Sequence, residues 1–140
     1  MEAGLNERLV RHGVLLALLG LLTGLAPMFV RNPRMALAAH VGGLMNALLL
    51  LALGAVWPTI RLRPGIERIA TRLLVWGAYG NWAITLLASI TGAKEFAPLA
   101  GAGYGADAFV EKATLVLITM FALAGLAGLA LVLSGLRRQG

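Results

Sequence analysis

The sequence contains no cysteine and few charged residues. With no thiol among its 140 residues, the chain cannot form disulfides, iron–sulfur clusters or a cysteine nucleophile. Charged residues make up 13% of the chain and hydrophobic residues 59%, whereas a soluble domain carries about a quarter charged residues. These proportions exclude an ordinary soluble fold and indicate a protein embedded in a membrane.

Four apolar segments are long enough to cross a bilayer. A spanning helix needs about 20 apolar residues, and only helices or closed barrels satisfy their backbone in lipid. These segments are rich in Leu and Ala, which favours helices, and no linker separates them. The sequence therefore predicts an all-α, four-helix membrane bundle that forms a single domain over residues 1–140. The predicted spans are His12–Val30, Met35–Trp57, Ile69–Gly92 and Ala108–Leu136.

The basic residues lie at the ends of these segments. A net charge of +6 could indicate nucleic acid binding in a soluble protein, but at helix ends it sets membrane orientation, so no nucleic acid partner is expected. Positive charges concentrate in cytoplasmic loops, which predicts that both termini are cytoplasmic. Eight residues lie at one end: Arg8, Arg11, Arg61, Arg63, Arg68, Arg72, Arg137 and Arg138. Four lie at the other: Arg31, Arg34, Lys94 and Lys112.

No acidic residue falls in the middle of a predicted span. Proton relays and ion-coupled carriers normally place Asp or Glu there, so a transporter is disfavoured, as is chemistry on paired carboxylates. The polar residues left within the spans are His40, Asn46, Tyr79, Asn81, Thr85 and Ser89. His12 lies at the start of the first span, where a solvated interfacial role is expected.

His40 is the main candidate for a ligand, because an ionisable residue inside a membrane is a functional candidate by default. Its neighbours are Ala and Gly, which leave room for a flat macrocycle, and imidazole is a common axial ligand of haem iron. The alternative is a buried histidine bonded to a backbone carbonyl. The residues alone leave both interpretations open.

The two asparagines lie at one depth. Asn46 and Asn81 are each roughly 16 Å from the outer end of their helix at about 1.5 Å per residue. Thr85 and Ser89 share a face with Asn81, although such hydroxyls often bond back to their own helix. His40 and Asn46 are about 240° apart around one helix, so they point in different directions.

Two short motifs carry a resemblance to a known family. His40–Asn46 reads HVGGLMN, and Gly80-Asn81-Trp82 follows in the next span. Together with the opening Glu7–Gly13 and the four short-looped spans, they resemble the styrene oxide isomerase and hydroxylaminobenzene mutase family over essentially the whole chain. The resemblance implies a homotrimer in the bacterial inner membrane, with haem b between subunits.

The resemblance also implies roles for individual residues. His40 corresponds to the axial ligand of the haem iron, and Asn46 and Asn81 to active-site asparagines, Asn46 acting from the neighbouring subunit. Thr85 is the third predicted catalytic residue, and it occupies the position of a tyrosine in the epoxide isomerase. That departure weakens the transfer of epoxide chemistry and keeps the mutase branch open, and Gly80-Asn81-Trp82 is similar to the mutases.

The implied chemistry is an isomerisation of a small apolar aromatic substrate that enters from the lipid bilayer. Ferric haem would act as a Lewis acid. We expect conversion of styrene oxide to phenylacetaldehyde by a 1,2-hydride shift (a Meinwald rearrangement), because ring strain assists opening without an acid. The alternative is conversion of hydroxylaminobenzene to 2-aminophenol. A haem-binding electron carrier and a small membrane scaffold are the competing classes.

Two further features have structural interpretations. Gly20–Gly24 and Ala124–Gly128 are small-xxx-small motifs, which serve either packing within the bundle or association between subunits. The loop over residues 93–107 is rich in glycine and is predicted to be a flexible lid.

Overall fold

A computed structural model describes residues 5–136 of the chain, and this part is helical with no strand. All four main helices are long and apolar enough to cross a membrane. The predicted all-α architecture with four helices is thus confirmed for the described residues. The helices are α1 (Glu7–Thr23), α2 (Pro33–Val56), α3 (Pro64–Thr91) and α4 (Ala108–Leu136), with 3-10 turns at Ala26–Met28 and Trp57–Thr59.

The helices extend beyond the apolar segments. α1 begins at Glu7 and α3 at Pro64, ahead of the predicted starts, because hydropathy marks only the part of a helix that lies in lipid. Asn6 caps α1, since its side chain accepts a hydrogen bond from the backbone N–H of Leu9 at 3.2 Å. Arg137 and Arg138, which contribute to the predicted charge asymmetry, lie outside the described residues.

The helices pack in chain order. α1 packs against α2, α2 against α3, and α3 against α4, while α1 also touches α3. α4 packs mainly against α3 and is the least buried of the four. α3 is therefore the centre of the molecule, and clefts remain on both of its sides, one beside α2 and one beside α1.

Glycines set the close approach of the helix pairs. A Cβ atom on Gly20 of α1 would lie 3.2 Å from the backbone nitrogen of Leu44 in α2. A Cβ atom on Gly77 of α3 would lie 2.7 Å from the backbone nitrogen of Gly125 in α4. Gly128 packs equally tightly against Leu74. Both small-xxx-small motifs are thus used for packing within the chain, the first of the two interpretations given above.

The loop between α3 and α4 is anchored to the bundle. The carboxylate of Glu111, only 5% exposed, accepts hydrogen bonds from the backbone N–H groups of Lys94, Glu95 and Ala106 at 2.9 to 3.0 Å. The buried Asn32 donates from Nδ2 to the carbonyl of Ala100 at 3.0 Å. The bonds to the Glu111 carboxylate are charge-assisted and therefore strong. The loop is thus a fixed cap, which differs from the predicted flexible lid.

Candidate active site

His40 is held by the backbone of α1. Its Nδ1 lies 2.7 Å from the carbonyl oxygen of Gly20. A carbonyl can only accept a hydrogen bond, so Nδ1 carries the proton. Gly24 lies against the same ring, and a Cβ atom there would come within 3.0 Å of Nδ1. The imidazole is therefore oriented by one glycine and given room by another.

The free nitrogen of His40 fits an axial ligand of haem iron. With the proton on Nδ1, the Nε2 atom keeps its lone pair, and it makes no hydrogen bond to any residue from 5 to 136. A histidine that binds a metal typically donates its other N–H to a carbonyl or carboxylate, which fixes the ring. The described residues contain no cluster of three or more His, Asp or Glu side chains that could hold a metal ion. The free Nε2 atom of His40 could therefore hold haem iron as a single protein ligand.

The structure brings Asn46 and Asn81 together. The Nδ2 group of Asn46 on α2 donates to Oδ1 of Asn81 on α3 at 3.1 Å, and it lies 3.5 Å from the carbonyl of Ala78. The matched depth predicted for the two side chains agrees with this direct contact. Glycine at position 42 leaves space beside the pair, since a Cβ atom there would lie 3.6 Å from Asn81 Oδ1.

The asparagine pair lines a cleft of about 330 Å³, which we call the asparagine cleft. α2, α3 and α4 form its walls, and apart from the two amides they contribute only apolar side chains and glycines. Such a cleft suits a small apolar molecule that carries one polar group. Its lining residues are Asn46, Leu49, Leu74, Gly77, Ala78, Asn81, Phe121, Ala122, Gly125, Leu126 and Leu129.

The amide pair offers the cleft one donor and one acceptor. The bond between the two side chains uses one N–H of Asn46 and the oxygen of Asn81. The Nδ2 group of Asn81 and the Oδ1 atom of Asn46 form no hydrogen bond with other described residues. Accepting a hydrogen bond polarises the amide of Asn81 and strengthens its N–H groups as donors.

The side chains of His40 and Asn46 point from α2 toward different helices. His40 bonds to α1, whereas Asn46 bonds to α3. This arrangement agrees with the angular separation predicted from their spacing. The ligand candidate of one chain therefore does not point into the asparagine cleft of that same chain.

The other predicted polar residues make local bonds. Thr85 donates to the carbonyl of Asn81 at 2.8 Å, and Ser89 donates to the carbonyl of Leu86 at 2.6 Å. Neither side chain lines the asparagine cleft. These hydroxyls thus bond back to their own helix, the alternative weighed for them from the sequence.

Tyr79 and His12 form a pair that sequence reasoning missed. The hydroxyl of Tyr79 donates to the backbone carbonyl of His12 at 3.1 Å, and the two rings meet edge to face at 5.6 Å. His12 is partly buried, although a solvated position was expected. Their separation of 67 residues gives no local signal, so only the packing of α1 against α3 could reveal the contact.

Trp82, next to Asn81, joins α3 to α1. Its Nε1–H donates to the hydroxyl of Thr23 at 3.0 Å, and its ring passes over Gly43, where a Cβ atom would come within 2.7 Å of the indole. Gly43 therefore has a steric role, because it lets the indole cross α2. This bond also fixes the end of α1 close to His40.

Comparisons with known proteins give matches over most of the chain. The styrene oxide isomerase family matches residues 5–137. Hydroxylaminobenzene mutase HabB of Ectopseudomonas oleovorans is 39% identical over 97% of this chain and 84% of its own length. Hydroxylaminobenzene mutase HabA of the same organism is 35% identical over 79% of this chain and 82% of its own length. No solved structure matches significantly.

Proposed function

The chain belongs to the styrene oxide isomerase family and is an isomerase with four membrane-spanning helices, and we propose that it converts hydroxylaminobenzene to 2-aminophenol. The resemblance read from the sequence motifs is thereby confirmed. The substrate proposal rests on the donor and acceptor that Asn81 and Asn46 present to an otherwise apolar cleft. Two relatives named as hydroxylaminobenzene mutases support it.

A hydroxylamine matches both free amide groups. Its N–H and O–H groups are donors, and one of them can bond to Oδ1 of Asn46, while its oxygen can accept from Nδ2 of Asn81. An epoxide has only an acceptor, so it would cover the partly buried Asn46 without giving its Oδ1 a partner. A polar group that a ligand removes from solvent without a hydrogen bond costs free energy. Thr85 supplies no phenol to the site. Both features favour the hydroxylamine.

The asparagines orient the substrate and stabilise charge. The rearrangement moves the hydroxyl oxygen from nitrogen to the ortho carbon and a hydrogen from that carbon to nitrogen, so it needs no external electrons. As the N–O bond weakens, the N–H group of Asn81 stabilises charge on the departing oxygen. Asn46 keeps the nitrogen in place, and the apolar walls of the asparagine cleft hold the ring and exclude water.

We propose haem b as the cofactor, with His40 as its ligand through Nε2. Ferric haem, when bound, supplies a Lewis acid for the oxygen of the substrate. Because His40 and Asn46 face different neighbours, the proposal includes a homotrimer in which His40 of one subunit faces the asparagine cleft of the next. We place this assembly in the bacterial inner membrane with both termini cytoplasmic, as the distribution of basic residues predicts.

Isomerisation of an aryl epoxide is the second candidate. The matched family is described by its styrene oxide isomerase activity, and the strain of a three-membered ring lets Asn81 assist C–O cleavage without an acid. The preference for styrene oxide formed from the sequence therefore stays a prediction, placed second because of the amide geometry and Thr85.

The assay that separates the candidates offers both substrates to anaerobic membranes that contain the protein. We expect 2-aminophenol from hydroxylaminobenzene and little phenylacetaldehyde from styrene oxide. Replacing Asn81 with Ala removes a donor to developing charge and should lower kcat about 10²- to 10³-fold. Ser89→Ala is the matched control, because Ser89 lies on the same helix and its hydroxyl bonds only to the carbonyl of Leu86 in that helix.

Either of two results would contradict the proposal. Phenylacetaldehyde formed without 2-aminophenol would assign the protein to the epoxide reaction. Full activity on hydroxylaminobenzene in the Asn81→Ala variant would show that the asparagine cleft is not the site of reaction.

A further inference from the structure

A second cavity lies on the other side of α3 from the asparagine cleft. This apolar groove has a volume of about 500 Å³ and is formed by α1, α3 and α4. From Val75 to Ile84 it runs about 13 Å along α3, close to the roughly 15 Å depth of one leaflet of hydrocarbon. Its lining includes Leu15, Ala83, Phe121 and the 68% exposed indole of Trp76. Its length and apolar lining suit an alkyl chain.

A charged cavity adjoins one end of the apolar groove. This cavity of about 730 Å³ is lined by Glu7, Arg8, Arg11, His12 and Leu15, and it shares His12 and Leu15 with the groove. Arg8 and Arg11 are three residues apart on α1 and therefore lie on one face of that helix.

Arg8 also borders a third cavity of about 400 Å³, together with Arg68. Glu67 at this cavity is already engaged, because its carboxylate accepts a hydrogen bond from Nε1 of Trp57 at 2.9 Å. Arg8 and Arg11 thus lie beside the end of the apolar groove, and Arg68 lies at the third cavity next to Arg8. These three arginines outnumber the two carboxylates, Glu7 and Glu67, that line the charged and third cavities.

The His12–Tyr79 pair lies where the charged cavity meets the apolar groove. Both side chains line the groove, and their hydrogen bond satisfies the phenol at this boundary. Amphipathic side chains such as Tyr are typical of the level where lipid headgroups give way to hydrocarbon. Along α1 and α3 the surface is therefore first charged, then polar, then apolar. A phospholipid has the same order, from its charged headgroup to its acyl chains.

We infer that this face binds an anionic phospholipid, with its phosphate between Arg8 and Arg11 and one acyl chain along the apolar groove. A guanidinium group can donate two parallel hydrogen bonds to phosphate oxygens. Basic pockets between membrane helices bind anionic lipid headgroups. Phe121 packs on Gly80 and lines both the apolar groove and the asparagine cleft. A bound acyl chain thus supports the back wall of the cleft. The inference does not depend on which substrate is isomerised.

The test measures lipid retained by the purified full-length protein. Detergent-solubilised protein is mixed with equal amounts of phosphatidylglycerol and phosphatidylcholine, and retained lipid is counted by native mass spectrometry. Replacing both Arg8 and Arg11 with Gln should lower the preference for phosphatidylglycerol about thirtyfold. The matched control is Arg61→Gln with Arg63→Gln, which removes the same charge at the same end but touches none of these cavities.

A groove-filling variant tests the acyl chain separately. Ala83→Trp should lower retention of both lipids, whereas Ala52→Trp, on an exposed face of α2, should not. Unchanged lipid preference in the Arg8 and Arg11 variant, or an equal loss in the Arg61 and Arg63 control, would overturn the inference. So would an Ala83→Trp variant that keeps its lipid but has a raised KM for hydroxylaminobenzene, since the groove would then belong to the substrate.

Discussion

The hydrogen bond between His40 and Gly20 fixes the orientation of the imidazole that we propose as the haem ligand. It fixes the proton on Nδ1 and leaves Nε2 to face away from the carbonyl. It also ties the orientation of the ring to the packing of α1 on α2, since Gly20 is a point of close contact between these helices. Partners of this kind, one bond removed from a metal, typically affect metal affinity 10- to 100-fold.

Replacing His40 with Ala should remove most haem from the purified protein, because the variant lacks the imidazole whose free Nε2 is the proposed ligand. The measurement is the Soret absorbance per protein after expression with haem supplied. His12→Ala is the matched control, as His12 bonds to Tyr79 on a different face and should leave haem binding intact. Full haem retention in the His40 variant would refute the assignment.

The sequence could identify His40 but not its surroundings. Its isolation among small residues in a span is visible from the sequence, and a carbonyl-bonded histidine and a metal ligand were treated there as alternatives. The structure makes them compatible, because one ring nitrogen bonds to the carbonyl while the other stays available. Helix periodicity also predicted that Asn46 and Asn81 would be level, whereas the contact of Tyr79 with His12 depends on how α1 lies on α3.

At the scale of helices, the contact between α3 and α4 is asymmetric. A Cβ atom added to Gly77 would meet the backbone of Gly125 at 2.7 to 2.8 Å, whereas one added to Gly125 would find its nearest neighbour, Gly77 Cα, at 4.0 Å. Backbone cannot move aside as a flexible side chain can. The two glycines face each other, but only position 77 has no space for a Cβ atom.

Gly77→Ala should therefore destabilise the protein by about 1 to 3 kcal/mol, the usual cost of overpacking. Gly125→Ala should be neutral or stabilising by up to about 1 kcal/mol, because Ala favours a helix over Gly. Thermal unfolding in detergent, followed by tryptophan fluorescence, measures both. Equal destabilisation by the two substitutions would show that the helices do not approach in this way.

Hydropathy located the helices well, because the thickness of the bilayer sets their length. It could not locate their polar ends, so α1 and α3 begin earlier than the apolar pattern indicates. Nor could it say what the small-xxx-small motifs contact, since a glycine that admits a helix of the same chain looks the same as one that admits another subunit. The position of Phe121 over Gly80, between two cavities, likewise depends on tertiary packing.

Across the whole molecule, three faces have different chemistry. His40 lies on the face between α1 and α2, the asparagine cleft between α2, α3 and α4, and the apolar groove between α1, α3 and α4. A cyclic assembly joins two different faces of each subunit. If the His40 face of one subunit meets the asparagine cleft of the next, the face with the apolar groove is left toward lipid, as the inference of a bound phospholipid requires.

This arrangement predicts that two inactive variants restore activity when mixed. In the proposed assembly an Asn46→Ala subunit still supplies His40, and a His40→Ala subunit still supplies Asn46, so some interfaces carry both groups intact. A cyclic trimer that contains both variants has one complete interface out of three, so about a third of wild-type activity should return. The two variants are co-expressed with different tags, and only assemblies that carry both tags are assayed for 2-aminophenol.

The control pairs His40→Ala with a subunit lacking both His40 and Asn46, which can form no complete interface and should stay inactive. If doubly tagged assemblies recover no activity, His40 and Asn46 belong to one site of one subunit. That result would contradict the proposed assembly, in which the two side chains point from α2 in different directions.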